Sequence, residues 1–273
     1  MRAVLISQVP PAANGLTEML RGLGHEPVAL LCSREHAGRY GDEFDRLVRE
    51  APAGLDVVIP AKREGIAPLL RRYEPDLLLC LGFPWKIPPD ALAVPRLGAV
   101  NGHPSLLPEY RGPNPVAWMI RNGESEIGFT FHRMDAELDT GPILAQAPIP
   151  LDNEHTWDEL EPKFVDVIGE LLTRALARLE AGDPGDPQED EGTYYSFFEP
   201  AYVRIDWTKP SADIQRQVRA WRFASRRDGL DHGALAELDG EAVRVLRVST
   251  EPAEGRVMET GDGRLWVLET EPA

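Results

Sequence analysis

Apolar positions in the first hundred residues come in short unbroken runs separated by stretches at helical spacing. Residues 3–7 and 27–32 read as buried strands, and residues 15–22 between them as a helix that ends before Gly24. The alternation continues through a strand at 56–60, a helix at 65–73, a strand at 77–81 and the apolar run 97–100. Strands without a polar face, alternating with helices, predict a doubly wound, mostly parallel sheet: a Rossmann-like α/β domain. Residues 127–131 and 143–146 add extended runs, with a helix at 116–121 before them. From 156 to 181, Leu160, Phe164, Val167, Ile168, Leu171, Leu172, Ala175, Leu176 and Leu179 fall at helical intervals, and Thr156 and Glu159 are spaced as a capping box. This long helix closes the domain.

The pattern then changes. Residues 182–192 are acidic, rich in Pro and Gly, and without an apolar face, which reads as a linker. Beyond it come strand-like runs at 234–238, 242–249 and 265–269, with turns at Asp239-Gly240 and Asp262-Gly263. These predict a small antiparallel, β-rich domain, an OB-like partly open barrel. The expected organisation is a catalytic domain over 1–182, a linker over 183–200 and a C-terminal domain over 201–273.

Charge narrows the function. With 29 basic against 45 acidic residues, a formal net of -16, the chain repels a phosphate backbone, so nucleic acid is a disfavoured partner. Strand one is not followed by a dinucleotide glycine fingerprint, which argues against a nicotinamide cofactor. Cys32 and Cys80 sit inside apolar runs as buried hydrophobes, and His25, His36 and His155 show no metal spacing, so no metal is expected. No run approaches 18 apolar residues, which leads to the expectation of a cytoplasmic protein without a membrane partner.

Candidate chemistry gathers between 101 and 146. Asn101 and His103, two apart at the end of the 97–100 strand, project to one side, where open α/β sheets hold ligands. Asp139 follows in the turn-rich Leu138-Asp139-Thr140-Gly141-Pro142. A carboxylate beside His103 orients the imidazole and raises its basicity, while the Asn101 carboxamide donates to a developing oxyanion. Taken singly, each also reads as an Asx-turn Asn, a satisfied loop His or a turn-capping Asp. His132 reads as a satisfied inward-facing residue. The loop 81–88, holding Phe83, Trp85 and Ile87, suits a flat heterocycle or simply packs on the next helix. The turn 8–14, with Pro10, is a candidate wall of an acceptor pocket or a stiff connection. In the rigid turn 110–115, Tyr110 and Arg111 are candidate acceptor contacts, Arg111 for a carboxylate or phosphate or for pairing with Glu109 or Glu124.

Asn-x-His-Pro-Ser-Leu-Leu-Pro-x-Tyr-Arg-Gly, followed by His-Arg-Met-Asp-x-x-Leu-Asp-Thr-Gly-Pro-Ile-Leu-x-Gln, resembles the signature of the folate-dependent formyltransferases. The resemblance implies N10-formyltetrahydrofolate as co-substrate and Asn101, His103 and Asp139 as a catalytic triad. It implies that Ser105, Leu106, Leu107 and Pro108 form the formyltetrahydrofolate signature. The loop with Phe83, Trp85 and Ile87 would then line the pterin pocket, with Met134, Asp135 and Ala136 facing it. Methionyl-tRNA formyltransferases carry a basic insertion within the region that here spans 33–54, whereas residues 34–45 are mixed in charge, a departure that counts against tRNA. Residues 203–207 and 214–221 resemble the strand and helix that open the C-terminal domain of the methionyl-tRNA and amino-sugar formyltransferases, and another departure is the stretch 226–232, in place of a Pro-rich run. The expected function is transfer of a formyl group to the primary amine of a small molecule, an amino-sugar nucleotide or an ornithine-type amino acid. The alternatives are methionyl-tRNA as acceptor, water in a 10-formyltetrahydrofolate hydrolase, and a non-catalytic folate-binding module. The reading leaves a homodimer open.

Overall fold

The computed structural model describes residues 1–33, 43–151, 157–189, 191–224 and 233–273. In chain order the elements are β1 (Arg2–Ser7), α1 (Pro10–Gly22), β2 (Glu26–Leu31), α2 (Glu43–Arg49), β3 (Asp56–Val58), α3 (Ile66–Arg71), β4 (Leu77–Leu81), α4 (Pro89–Leu92), β5 (Ala99–His103) and α5 (Pro115–Asn122). These are followed by β6 (Glu126–Arg133), β7 (Ile143–Pro150), α6 (Trp157–Glu180), α7 (Ser211–Phe223), β8 (Ala234–Leu238), β9 (Glu241–Ser249), β10 (Arg256–Glu259) and β11 (Arg264–Pro272). Two compact units result. One comprises Met1–Arg111, Gly128–Ile149 and Asp158–Thr193, the other Gly112–Ile127, Pro150–Trp157 and Tyr194–Ala273. The segment 34–42, the Thr156 cap and the stretch 226–232 lie outside the described residues.

The first unit is built on a seven-stranded sheet in the order β3-β2-β1-β4-β5-β6-β7. Strands β1 to β5 pair in parallel, and β6 runs antiparallel to β5, so the sheet is mixed. Val4, Leu5, Ile6, Leu77, Leu78 and Leu79 are all within 1% of full burial, because helices cover both faces of the central strands. That double coverage is what the unbroken apolar runs encode. The chain steps outward from β1 through β2 to β3 and then returns to place β4 on the other side of β1, which opens a crevice beyond the carboxyl ends of β1 and β4. There Gln8 N–H donates to the Gly82 carbonyl at 3.0 Å and Ser7 Oγ to the Leu81 carbonyl at 2.7 Å.

Several expectations move. Residues 8–14 are not a connecting turn, because α1 begins at Pro10, and a proline, lacking an N–H and fixed near helical φ, fits the first helical position. Pro10 is buried at the start of that helix. Residues 203–207 are not a strand: Pro200–Val203 is a 3-10 turn, after which Arg204 alone makes a bridge, to Leu235. A proline starts that turn, and its fixed φ favours the helical over the extended conformation.

The second unit is a four-stranded antiparallel sheet, β10-β11-β9-β8, with α7 packed on it through Ile214 and Val218 against Ala234, Val245, Leu265 and Val267. Strand β10, only four residues long and largely exposed, carried too little apolar signal to be anticipated. Helix α5 packs on α7, and its Arg121 lies 3.8 Å above the Tyr202 ring and 4.4 Å from that of Trp118. Among the described residues, no helix is long and apolar enough to cross a membrane.

Candidate active site

Register on the sheet assembles the site. Ile6, Cys80, Asn101 and His132 stand in one row across β1, β4, β5 and β6, so their side chains share a face. His103, two residues beyond Asn101, points the same way at the carboxyl end of β5. Asp139 arrives from the loop between β6 and β7 with φ +59, a left-handed conformation that a non-glycine residue adopts only when its surroundings hold it. Gly141 makes the loop possible: a Cβ there would lie 1.9 Å from the Arg133 carbonyl oxygen. This is why Gly follows Asp139-Thr140.

The three expected residues converge. Asp139 Oδ1 lies 3.6 Å from His103 Nδ1 and 3.4 Å from Asn101 Nδ2. The His103 Nε2 proton goes to the Tyr110 carbonyl at 2.9 Å, which leaves Nδ1 facing the carboxylate. His103 is 4% exposed, and burial holds its pKa below the ordinary value, against the opposing pull of Asp139 and the Tyr110 carbonyl. Once Nδ1 takes a proton, the imidazolium has a carbonyl at one end and a carboxylate at the other. The ring is thus neutral at rest and provided with partners for its charged form. Burial, with a further contribution from Asp139, pushes the Cys80 thiol up to about 12, so the sulfur beneath the site stays protonated.

His132 belongs to the same cluster, a role that local pattern did not reveal. Its Nδ1 proton goes to the Arg133 carbonyl at 2.8 Å, its Nε2 meets Asn101 Nδ2 at 3.2 Å, and Asp139 Oδ1 is 3.6 Å away. Asn101 donates, so Nε2 accepts. The missing signal was the antiparallel pairing Asn101↔His132, which only the register of β5 against β6 supplies.

The expected folate contacts divide by burial. Trp85 and Ile87 are 6% and 3% exposed within the core, with Phe83 edge-on to Trp85 and Phe83 and Met134 partly buried against that core. Side chains of Trp85 and Ile87 therefore pack inward, and the loop offers backbone. Asp135 and Ala136 are exposed, and Asp135 accepts from Thr140 Oγ at 2.8 Å. Lys86 pairs with Glu137 at 3.3 Å, joining these two loops. Ser105 donates to the Glu109 carbonyl, Leu107 N–H donates to Thr130 Oγ1, and Thr130 donates to the Ser105 carbonyl at 2.6 Å, which fixes the segment; Leu106 and Pro108 are half-buried within it. Tyr110 contributes its carbonyl to His103, as above. Arg111 is turned inward: its guanidinium bonds Gln188 at 2.7 and 3.2 Å and the Glu191 carbonyl at 2.6 Å, where an acceptor anion had been expected.

Among the described residues no group of three or more side chains is placed to hold a metal. A groove of about 520 Å³ lies at the opposite, amino-terminal edge of the sheet, where Arg2 pairs with Glu26 and Tyr73 donates to Asp56. The cluster of Asn101, His103 and Asp139 is at the other edge.

Residues 25–176 match the formyl transferase family. Over 94% of this chain and 91% of its own length, a methionyl-tRNA formyltransferase from Brucella anthropi is 33% identical. A GDP-perosamine N-formyltransferase from Brucella melitensis is 40% identical over 55% of this chain and 58% of its own. The matched stretch spans from 53% to 91% of the length of the methionyl-tRNA formyltransferases it resembles. HypX from Aquifex aeolicus, solved in complex with tetrahydrofolic acid, superposes with a TM-score of 0.67 at 22% identity, covering 99% of this chain and 44% of that one, a likeness of fold. With more than half its residues in that match and a relative aligned along nearly its whole length, the chain belongs to the formyl transferase family.

Proposed function

We propose that the chain transfers the formyl group of N10-formyltetrahydrofolate to the primary amine of a small-molecule acceptor, a nucleotide-linked amino sugar or an ornithine-type amino acid. The observation that carries this reading is the meeting of Asn101, His103 and Asp139 at the carboxyl edge of β5, beside the loops that hold Phe83 and Met134. The amine nitrogen attacks the formyl carbon, and the carbonyl oxygen becomes an oxyanion. Asn101 Nδ2 meets it, exchanging its long 3.4 Å bond to Asp139 for a bond to the charged oxygen. His103 Nδ1 takes the proton that the amine loses, and Asp139 stabilises the resulting imidazolium. Collapse of the intermediate breaks the bond from the formyl carbon to N10, and the His103 imidazolium returns its proton to that nitrogen, which leaves as the neutral N–H of tetrahydrofolate.

Charge supports a small acceptor. The chain is a polyanion, and acidic residues outnumber basic ones within 201–273 as well. Methionyl-tRNA is the second reading, favoured by the relative of that name that aligns along 94% of this chain. A panel of amino-sugar nucleotides, amino acids, charged initiator tRNA and a no-amine control, read by release of tetrahydrofolate, separates the acceptors. Turnover with a small amine and none with tRNA supports the proposal. Turnover with tRNA alone, or equally fast release without any amine, overturns it in favour of the tRNA enzyme or the hydrolase.

The rate depends on a neutral His103, so kcat/KM is expected to fall on the acid side of the ordinary histidine value, about 6.5. Asp139 opposes the effect of burial on this ring, so Asp139→Asn shifts that acid limb to lower pH. The pH profiles of the two proteins check this; an unshifted limb assigns the titration to another group. The sign for stability is the same. His103 binds its proton later in the folded than in the unfolded chain, so stability is lost as pH falls from about 6.5 toward the folded value.

A further inference from the structure

The acidic stretch after α6, which reads as a passive linker, is bound to the first unit at several of its described residues. Arg178 holds Asp183 and Asp186 at 2.7 and 2.8 Å, and Asp186 makes a two-way backbone bridge with Ile143 at the start of β7. Further on, Gln188 Nε2 donates to two carbonyls of the catalytic loop, Asp139 at 3.0 Å and Gly141 at 2.8 Å, while its Oε1 accepts from the Arg111 guanidinium at 2.7 Å. Gly192, at φ +61, crosses so near the Pro108 carbonyl that a Cβ would stand 2.1 Å from its oxygen. Thr193 then receives the Tyr110 N–H on its Oγ1 and the Arg111 N–H on its carbonyl, both at 2.9 Å.

Asp139 and Tyr110 are the two residues around His103 with positive φ, +59 and +58. Each strained backbone persists only because neighbours over-determine it. For Asp139 the bond comes from Gln188; for Tyr110 it comes from Thr193, with Arg111, bonded to Gln188, as the next residue in the chain. One residue therefore ties the carboxylate that faces His103 Nδ1 to the loop whose carbonyl holds His103 Nε2.

We propose that Gln188 is a positioning residue of the active site, its carboxamide bridging the Asp139 loop to Arg111 and so fixing the two groups that orient His103. The charged donor on its oxygen polarises the amide and strengthens both N–H bonds to the catalytic loop. Residues 183–189 and 191–193 accordingly form part of the site's framework, and Gln188 is the point where both catalytic loops meet. This inference rests on the formyl-transfer reading for its kinetic consequence and on geometry alone for its structural one.

The test uses the whole chain with Gln188→Ala and Gln188→Glu, the latter keeping an acceptor for Arg111 but no donor for the Asp139 and Gly141 carbonyls, so the fold is retained. Both are expected to lower kcat about 100-fold, as misplacement by an ångström does, with KM for the folate unchanged. The double variant Asp139→Asn/Gln188→Ala is expected to lose less than the product of the two single losses, because part of the Gln188 effect runs through that carboxylate. Crystal structures of both variants are expected to show Asp139 out of the left-handed region. Wild-type kcat in Gln188→Glu, losses that multiply in the double variant, or Asp139 unmoved in the crystals would overturn the proposal. If the wild-type chain forms no tetrahydrofolate with any acceptor, the formyl-transfer reading fails, and the crystals alone decide the role of Gln188.

Discussion

Asp139→Asn is expected to reduce kcat/KM for formyl transfer by about 10³-fold while leaving the thermal midpoint within a degree or two of wild type. The substitution preserves size and can still accept a hydrogen bond, but it removes the charge that supports an imidazolium at His103 Nδ1, and general base catalysis is worth about 10²–10⁴-fold. The carboxylate is only 13% exposed, so little solvent screens the lost charge. His103→Gln is expected to show a comparable loss, and the pair together little more than either, since the two act as a unit. Steady-state kinetics on the three variants check this. A wild-type kcat/KM in Asp139→Asn removes the residue from the mechanism.

Gly141→Ala is expected to damage fold and rate together. Its Cβ would fall 1.9 Å from the Arg133 carbonyl oxygen, an overlap that only backbone movement relieves. Overpacking of this kind costs about 1–3 kcal/mol. The movement propagates to Asp139, two residues earlier, so kcat is expected to drop about 100-fold as well. Chemical denaturation and kinetics on one preparation check both halves. Unchanged stability with unchanged rate would show that the loop tolerates displacement and that the position of Asp139 is not critical.

Much of this architecture was legible because it rests on period. The unbroken apolar runs at β1, β2 and β4 announce strands buried on both faces, and Asn101 and His103, two apart at a strand end, announce side chains on one face. The position of Asp139 was legible from its turn-rich surroundings and from the family signature. What stayed hidden depends on contacts distant in sequence. His132 joins the cluster through antiparallel pairing with Asn101, and nothing within either strand states which way β6 runs. Arg111 read as an acceptor contact or as a partner of Glu109 or Glu124, and its bond to Gln188 stayed hidden because that residue lies 77 positions away. The stretch after α6 carries Pro, Gly and acidic residues, and although Gly192 passes too close to the Pro108 carbonyl for a Cβ, that composition is the same one a free linker shows. Pro10 misled for a local reason: a proline ends a helix from within but starts one from its first position.

The central claim is that the three polar groups close on the one-carbon unit of a bound folate. A crystal structure of the chain with a stable formyl-folate analogue tests it most directly. The expected result places the formyl oxygen about 2.6–3.2 Å from Asn101 Nδ2, with the His103 ring on the same side and the pterin against the loops of Phe83 and Met134. A folate seated elsewhere, such as the groove between Arg2 and Tyr73, with its formyl group beyond the reach of Asn101, His103 and Asp139, would contradict the account.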